Sequence, residues 1–522
     1  MNAVTLAPVL MVQGTASHVG KSTLVAGLCR LFRQDGVRVA PFKAQNMALN
    51  SYVAAEGGEI GRSQALQAQA AGLDPSIDMN PILLKPEGEA RCQVVVNGRS
   101  RGSMSAARYQ QTKLDLWPDV VAALNRLRQR YDLVIAEGAG SPAEINLRST
   151  DLANMRVALH TNAAVILVGD IDRGGVFASL LGTYWLLDES ERRRLCGFAI
   201  NKFRGDPSIL EPGLVELRER TGIPVLGVLP HLSRVQLPEE DSLGLEGGVS
   251  RADGRPTVAV IRLPHIANFD EFAPLATEPG IRLVYASAPA ELAGAALVII
   301  PGTKTTIEDL AWLRRTGLAD WIRASTVPLI GICGGFQMLG REILDPEGVE
   351  SDEGRAEGLG LIPMTTTFVA DKRTVRVRAR VLAQRGPLAG VDQTEVEGYE
   401  IHMGRWTTPE VAAPALMLDD ERAADGYVSQ DGRVTGTYVH GLFENEACRA
   451  TLVRFVGGAS GGPSGASRDE ELDRLAACLR QHLDLGAIRT ACGLASSSAG
   501  GSKHPSPQPS PAGEGEGGVP AL

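Results

Sequence analysis

The stretch that decides the fold of the first half is VLMVQGTASHVGKSTLVAGLCRLFRQDG, residues 9–36. An apolar run, VLMVQG, is followed by a polar loop and then by a helical pattern that begins at Lys21 and stops at Gly36. Five apolar side chains lie on one face of that helix: Leu24, Val25, Leu28, Leu31 and Phe32. The order predicts a buried parallel strand, a loop and an amphipathic helix.

The loop, GTASHVGKST, departs by one residue from the standard phosphate-binding spacing G-x-x-x-x-G-K-[ST]. Thr15 stands where the first glycine is expected, and Gly14 lies one position earlier, whereas the Gly20-Lys21-Ser22 end is intact. Between a strand and a helix N-terminus, backbone N–H groups and the helix dipole converge on an anion. We therefore expect Lys21 to reach terminal phosphates and Ser22 to bind magnesium. The competing interpretation is a glycine turn that only joins strand to helix.

Five further apolar runs in the first half also predict parallel strands, each ending in a loop. They are VRVAPFK (37–43), DLVIAEGAG (132–140), AAVILVGDID (163–172), CGFAINKF (196–203) and PVLGVLP (224–230). Lys43, Glu137, Asp170 and Asp172 follow the apolar cores VRVAPF, DLVIA and VILVG of these runs. Open α/β sheets bind ligands beyond the carboxyl ends of their strands. An acidic group there can complete a magnesium site, and a second lysine can neutralise a phosphoryl group. The competing interpretation of each of these four residues is a charged side chain in a solvated loop.

The sequence predicts an α/β protein of two doubly wound domains. EGGVSRADGRP has the glycine, charge and proline content of a linker. A second set of strands follows it, predicted at 257–264, 282–287, 296–302 and 328–333, before a β-rich stretch at about 365–440. The predicted units are 1–245, a first α/β domain with the phosphate loop; 246–256, a linker; 257–455, a second α/β domain; 456–493, a helical extension; and 494–522, a disordered tail poor in large apolar residues.

A second chemical site is predicted in VPLIGICGGFQMLG. Cys333 lies between a buried strand and an apolar helix, among four glycines at 331, 334, 335 and 340. This is the layout of a nucleophile elbow, whereas Cys29 and Cys196 are expected to be packing residues. The thiol needs a base, and His440 in GTYVHGLFEN is favoured over His402 in GYEIHMG because it ends a strand-like run. A cysteine and a distant histidine alone leave a non-catalytic interpretation open.

Composition limits the classes of function. The chain has 522 residues, 44% of them hydrophobic, and a formal net charge of -9, which argues against broad binding to nucleic acid or anionic membranes. Seven cysteines without a C-x-x-C pair argue against a disulfide framework or a zinc site. The N-terminus lacks a signal-peptide pattern, so we expect a cytoplasmic protein. The oligomeric state is not predicted.

The motifs resemble known families. GTASHVGKST resembles the phosphate loop of dethiobiotin synthetase and its relatives, where the longer spacing is the rule, and GICGGFQMLG resembles the nucleophile segment of class I glutamine amidotransferases. Together they closely resemble the cobyric acid synthase family over roughly residues 9–455. The other matching segments are APFKAQNMALNS, MNPILLKP, AEGAGSPAEINL, DIDRGGVFASL, NKFRGD, PGTKTTIEDL and GYEIHMG.

The resemblance implies a reaction in cobalamin biosynthesis. It implies that the b, d, e and g carboxylates of adenosylcobyrinic acid a,c-diamide are amidated through acyl phosphates, with ATP, Mg²⁺, glutamine and the adenosylated corrinoid as ligands. Cys333 would form a glutamyl thioester and release ammonia while His440 moves the proton. Ammonia would then need a shielded path between the packed domains.

The resemblance also assigns site residues. Seven residues would bind ATP: Gly14, Thr15, Gly20, Lys21, Ser22, Lys43 and Asn201, the last at the adenine. Glu137 with Ser22 would bind magnesium, and the backbone at Gly302 and Gly334 would form the oxyanion hole. The full amidotransferase triad has a glutamate two residues after the histidine, but Leu442 stands there and Glu444 lies too far along. The group that orients His440 is therefore not predicted.

Two alternatives remain open. Cobyrinic acid a,c-diamide synthases share the architecture but choose other carboxylates, although QNMALNS and EGAGSPAEINL favour the cobyric acid family. A partitioning-type ATPase switch with a degenerate amidotransferase domain would fit the missing glutamate, but the intact GICGG and YVHG segments oppose it.

Overall fold

The computed structural model describes residues 6–87, 90–232, 254–351, 353–391, 395–408, 413–419, 423–459 and 467–494. Most of the predicted linker and the predicted tail from 495 onward lie outside these described residues. None of the helices within the described ranges is both long and apolar enough to cross a bilayer.

The N-terminal part is built on six parallel strands in the order β12-β11-β10-β1-β9-β2. These strands are β1 (Val9–Gly14), β2 (Val39–Phe42), β9 (Leu133–Glu137), β10 (Ala164–Asp170), β11 (Leu195–Phe203) and β12 (Val225–Pro230). The six strands predicted from apolar runs are thereby confirmed. Their helices are α1 (Lys21–Gln34), α2 (Arg62–Ala71), α3 (Ala106–Thr112), α4 (Trp117–Arg130), α5 (Met155–Thr161), α6 (Val176–Leu186), α7 (Glu189–Arg192) and α8 (Glu211–Thr221).

A smaller β-region lies between β2 and β9 in the chain and was not predicted from the sequence. Its strands are β3 (Gln45–Met47), β4 (Ser51–Val53), β5 (Glu59–Gly61), β6 (Ile82–Glu87), β7 (Arg91–Val96) and β8 (Arg99–Ser105). They form a sheet of order β3-β6-β7-β8 and a separate β4-β5 hairpin. This region supplies several of the contacts with the C-terminal part.

The C-terminal part has a second mainly parallel sheet, in the order β14-β13-β15-β16-β24-β23. Its strands are β13 (Thr257–Ile261), β14 (Arg282–Ala286), β15 (Ala295–Ile300), β16 (Leu329–Ile332), β23 (Tyr427–Val428) and β24 (Val434–Thr437). The four strands predicted here are confirmed. A further sheet contains β17 (Glu342–Leu344), β18 (Arg355–Glu357), β19 (Thr365–Val381), β20 (Glu395–Thr407), β21 (Leu416–Leu418) and β22 (Ala423–Asp425). The helices are α9 (Ala273–Ala276), α10 (Thr306–Arg315), α11 (Leu318–Ala324), α12 (Gly334–Leu339) and α13 (Glu446–Phe455).

The last two helices, α14 (Arg468–His482) and α15 (Leu485–Ala491), return to the N-terminal part. Leu475 and Leu479 of α14 are buried against α1. A Cβ at Gly27 of α1 would lie 2.5 Å from Leu479 Cδ1 and 2.8 Å from Leu475 Cγ. The absence of a side chain at Gly27 therefore lets the two helices approach closely. The predicted extension belongs structurally to the nucleotide-binding half.

Leu475→Ala is expected to lower the free energy of unfolding by about 2–5 kcal/mol, because it leaves a cavity between α14 and α1. Chemical denaturation followed by fluorescence measures this change. Arg474→Ala on the exposed face of the same helix is the control and should change stability by about 0.5 kcal/mol or less. Equal stabilities for both variants would contradict the packing described for α14.

Candidate active sites

The ammonium group of the phosphate-loop lysine, Lys21, is fixed by backbone carbonyl groups. Gly20 adopts φ 99° directly before α1, a conformation that favours glycine, and a Cβ there would lie 2.2 Å from Asn201 Nδ2. Lys21 is buried, and its Nζ donates to the carbonyl oxygens of Ala16 at 2.8 Å and Gly140 at 3.0 Å. The ammonium thus lies between the loop and the segment that follows β9.

Four predicted or neighbouring polar residues meet at the end of β9. Glu137 is buried, and its Oε1 accepts from Ser22 Oγ and from Lys43 Nζ, both at 2.8 Å. Its Oε2 accepts from Gln67 Nε2 at 2.6 Å. Burial would raise the pKa of Glu137, but the charge of Lys43 and these hydrogen bonds outweigh it and lower the pKa. The carboxylate is therefore ionised at neutral pH.

The cluster has the donor chemistry of a magnesium site. The Ser22 hydroxyl and the Glu137 carboxylate are hard oxygen donors placed 2.8 Å apart, beside a loop suited to phosphate. Within the described ranges there is no group of three or more His, Cys, Asp or Glu suited to a metal ion. The donor set fits a magnesium ion that shares its ligands between protein, phosphate and water.

The other predicted residues of this half lie around the loop. Thr15 N, which follows Gly14 at the end of β1, donates to Val168 O at 2.9 Å. Asn201 Nδ2 donates to Val19 O at 2.8 Å and so braces the loop from β11. The two aspartates after β10 pair instead with cations: Asp170 with Lys202 at 2.8 Å and Asp172 with Arg204 at 3.1 Å. The structure does not bring those aspartates into the Glu137 cluster.

Cys333 occupies a strained turn between β16 and α12. Its φ of 50° and ψ of −108° lie outside the conformations common for a residue with a side chain. A Cβ at Gly335 would lie 2.0 Å from Ile300 O, so the turn can pack against β15 only with glycine there. Cys333 N donates to Thr437 O at 2.8 Å, and the Sγ atom lies 3.6 Å from Ile401 O. The geometry is that of the predicted nucleophile elbow.

His440 follows β24, the strand that pairs with β16, and lies within hydrogen-bonding reach of the Cys333 thiol. Its Nδ1 lies 3.0 Å from Glu271 Oε1. The ring stacks on Tyr399 with centroids 5.3 Å apart. Burial alone would lower the pKa of His440, but the charge of Glu271 and the Cys333 thiol raise it to about 10. The contact with Glu271 therefore favours the protonated form of His440.

The cavity beside Cys333 is shared by both halves of the chain. The predicted oxyanion residues lie near this cavity. Gly334 follows Cys333 directly, and a Cβ there would lie 3.1 Å from Thr303 N. Gly302 lines the cavity with Cys333, and a Cβ there would lie 2.8 Å from His440 Cε1. His402, the less favoured candidate for the base, lines the same cavity, but its Nδ1 interacts with Gly404 O at 2.8 Å. The nucleotide-binding half contributes Lys85 and Gln93 to the lining.

Comparisons with known proteins agree with this division into two centres. A family model of the CobQ/CobB/MinD/ParA nucleotide binding domain matches residues 10–244, and one of the CobB/CobQ-like glutamine amidotransferase domain matches residues 257–448. The chain is 49% identical over 512 residues to the cobyric acid synthase of Sorangium cellulosum (strain So ce56), covering 93% of this chain and 98% of that protein. It is 52% identical over 505 residues to the cobyric acid synthase of Desulforudis audaxviator (strain MP104C), covering 94% and 100%.

The chain belongs to the cobyric acid synthase family. The predicted family is confirmed over the cobyrinic acid a,c-diamide synthase alternative. A solved structure, PurLQS from Thermotoga maritima, matches with a TM-score of 0.29 and 18% identity over 43% of this chain and 98% of that chain.

In this member of the cobyric acid synthase family, sequence reasoning missed two contact residues. Gln67 donates to Glu137 from α2, and Glu271 contacts His440 from the 3-10 turn Phe269–Phe272. No signal in the sequence indicated Gln67, because α2, RSQALQAQAA, has three glutamines and no clear polar face. A signal for Glu271 was available in NFDEF, where two acidic residues stand between two phenylalanines. The phenylalanines indicate a buried segment, and acidic residues are rarely buried without a partner.

Proposed function

We propose that this chain amidates the b, d, e and g carboxylates of adenosylcobyrinic acid a,c-diamide, using ATP and glutamine, in cobalamin biosynthesis. The observation that carries the proposal is that one chain holds two separate clusters of residues with the chemistry that this reaction needs. One is the Lys21 loop with the Ser22–Glu137–Lys43 cluster, and the other is the Cys333–His440 pair. Both belong to a member of the cobyric acid synthase family.

The first centre supports activation of a corrinoid carboxylate. The carboxylate oxygen attacks the γ-phosphorus of ATP, ADP leaves, and an acyl phosphate forms. Lys21 and Lys43 would neutralise the transferring phosphoryl group, and Asn201 would lie toward the adenine. Magnesium held by Ser22 and Glu137 would supply charge neutralisation between phosphate oxygens. Ammonia then attacks the acyl carbon, phosphate leaves, and the amide forms.

The second centre supports release of ammonia from glutamine. The Cys333 thiolate attacks the side-chain amide carbon, with the resulting oxyanion stabilised by backbone N–H groups at Gly302 and Gly334. His440, in its protonated form, donates a proton to the amide nitrogen, the C–N bond breaks, and ammonia leaves the glutamyl thioester. Water then hydrolyses the thioester to glutamate and restores the thiol. The strained turn at Cys333 supports catalysis over the switch alternative.

The proposed units follow the predicted boundaries, with a synthetase domain at 1–245 and an amidotransferase domain at 257–455. We also propose a cytoplasmic location and no nucleic-acid or membrane partner, in accord with the net charge of -9.

Mass spectrometry of the corrinoid after incubation with ATP, magnesium and glutamine tests the proposal. Four added amides on the a,c-diamide are expected, with none when ATP is omitted. Conversion of unamidated cobyrinic acid to a diamide, with no reaction of the a,c-diamide, would contradict it.

Glu350 is proposed to bind the α-ammonium group of glutamine, because its carboxyl group lines the Cys333 cavity. Burial raises the pKa of Glu350 to about 7. The KM for glutamine should fall as the pH rises through about 7, since the binding carboxylate forms in that range. Glu350→Gln should raise that KM about 10- to 100-fold and remove its dependence on pH. Steady-state kinetics measure both effects, with the exposed Glu353→Gln as the control. A KM unchanged in Glu350→Gln would refute this contact.

A further inference from the structure

A buried segment of the amidotransferase half supplies His440 with an acidic partner. Glu271 is 1% exposed; its Oε1 lies 3.0 Å from His440 Nδ1, and its Oε2 accepts from Gly441 N at 3.1 Å. A carboxylate on Nδ1 fixes the orientation of an imidazole and stabilises its protonated form. Glu271 thus contacts His440 in the way expected of the triad glutamate, whose usual position, two residues after the histidine, is Leu442 here.

The residue next to Glu271 is held by the nucleotide-binding half. The Arg62 guanidinium lies 2.5 Å from the Asp270 carboxylate and also pairs with Glu444. Asp270 directly precedes Glu271, and Glu444 lies in the turn that follows His440. The side chains of Arg62 and Asp270 are 7% and 0% exposed, so removal of either partner would leave a buried charge.

Helix α2 connects this boundary to the phosphate site. Asn268 Oδ1 accepts from Ser51 N at 2.9 Å, which adds a second contact between the halves beside the catalytic segment. Arg62 is the first residue of α2, and Gln67 on that helix donates to Glu137 at 2.6 Å. One short helix therefore touches the carboxylate of the phosphate site and the segment that holds His440.

We propose that Glu271 is the positioning residue for His440 and that Arg62 holds Glu271 in place, so that the docked nucleotide-binding domain completes the amidotransferase site. This inference rests on the proposed function, since it assumes that Cys333 and His440 act on glutamine. In this proposal the phosphate centre and the thiol centre are coupled through the ion pairs of Arg62 with Asp270 and Glu444, which join the two halves.

Side chains from three segments of the described chain contact His440. Glu271 approaches Nδ1, the Cys333 thiol approaches the ring from the turn before α12, and the Tyr399 phenol ring stacks on it from β20. Arg62 pairs with Asp270 beside Glu271, one contact further away. Glu271 is thus the anion that stabilises the imidazolium, and its removal should lower the pKa of His440.

Glu271→Gln is the first test. We expect glutamine-supported amidation to fall about 10²- to 10⁴-fold, as when the acidic member of a triad is neutralised. Amidation supported by added ammonia should stay at the wild-type rate. The basic limb of the pH profile for glutamine hydrolysis should move to lower pH, because the imidazolium is lost sooner, and Glu271→Asp should restore part of the shift. An unchanged profile, or equal loss with ammonia and glutamine, would overturn the assignment.

Arg62→Met is the second test, with Arg376→Met as the matched control. Both arginines lie over the Tyr52 ring and both bridge the halves, but Arg376 Nε donates to Val53 O and not to the His440 segments. Arg62→Met should lower the glutamine-supported rate about 3- to 30-fold and leave the ammonia-supported rate unchanged. The control should leave both rates unchanged.

A double-mutant cycle separates positioning from general destabilisation. If Arg62 acts through Glu271, adding Arg62→Met to Glu271→Gln should cause little further loss of glutamine hydrolysis. Independent, multiplying losses would overturn the coupling. Glutamate release is measured apart from corrinoid products, so failure of the proposed corrinoid reaction appears as absent amidation in the wild type with either nitrogen source.

Discussion

Cys333→Ala is expected to abolish amidation supported by glutamine while amidation supported by ammonia continues. The substitution removes the sulfur that attacks the glutamine amide, and loss of a catalytic nucleophile costs about 10⁶-fold in kcat. The fold should tolerate the change, because alanine retains the Cβ that already stands in the strained turn at φ 50°. Corrinoid products with each nitrogen source, separated by mass spectrometry, measure the result.

Cys196→Ala is the matched control for this variant, since that half-buried thiol lies on β11 of the other half. It should keep both activities. Full glutamine-supported activity in Cys333→Ala would show that the nucleophile has been assigned wrongly. Loss of both activities would mean that Cys333 is needed for more than ammonia release.

The sequence was sufficient where the chemistry lies at strand ends. Lys43 and Glu137 follow adjacent parallel strands, so their convergence with Ser22 at one edge of the sheet followed from general rules of α/β folds. The extra residue in the phosphate loop did not disturb this, because the loop still ends at the first turn of α1. The same reasoning placed Cys333 at the turn between β16 and α12.

The sequence was insufficient where a contact joins distant segments. Glu271 and His440 are 169 residues apart, and no periodic pattern relates a 3-10 turn to a residue after a strand. The β-region between β2 and β9 was missed because three of its strands have only three residues each, too few to show alternation. The contact between Arg62 and Asp270 depends on how that region meets the other half.

Lys21→Met is expected to remove amidation with either nitrogen source. Both routes need the acyl phosphate, and the Lys21 ammonium lies at the helix N-terminus where the transferred phosphoryl group would bind. Loss of a cation that stabilises such a transition state costs about 10³- to 10⁵-fold. Methionine retains the unbranched stem of the buried lysine, so the loss should lie in chemistry more than in folding. Coupled measurement of ADP and corrinoid amides gives the rate.

Arg38→Met, on the exposed surface of the same half, is the control and should keep the wild-type rate. Ammonia-supported amidation by Lys21→Met within tenfold of wild type would place the lysine away from the phosphates.

A mixture of Lys21→Met and Cys333→Ala tests the ammonia path, since Lys21→Met retains the thiol centre and Cys333→Ala retains the phosphate centre. Ammonia that passes through a shielded route inside one chain cannot reach the other, so the mixture should show far less glutamine-supported amidation than the wild type. Activity in the mixture equal to that of the wild type would mean that ammonia crosses through solvent.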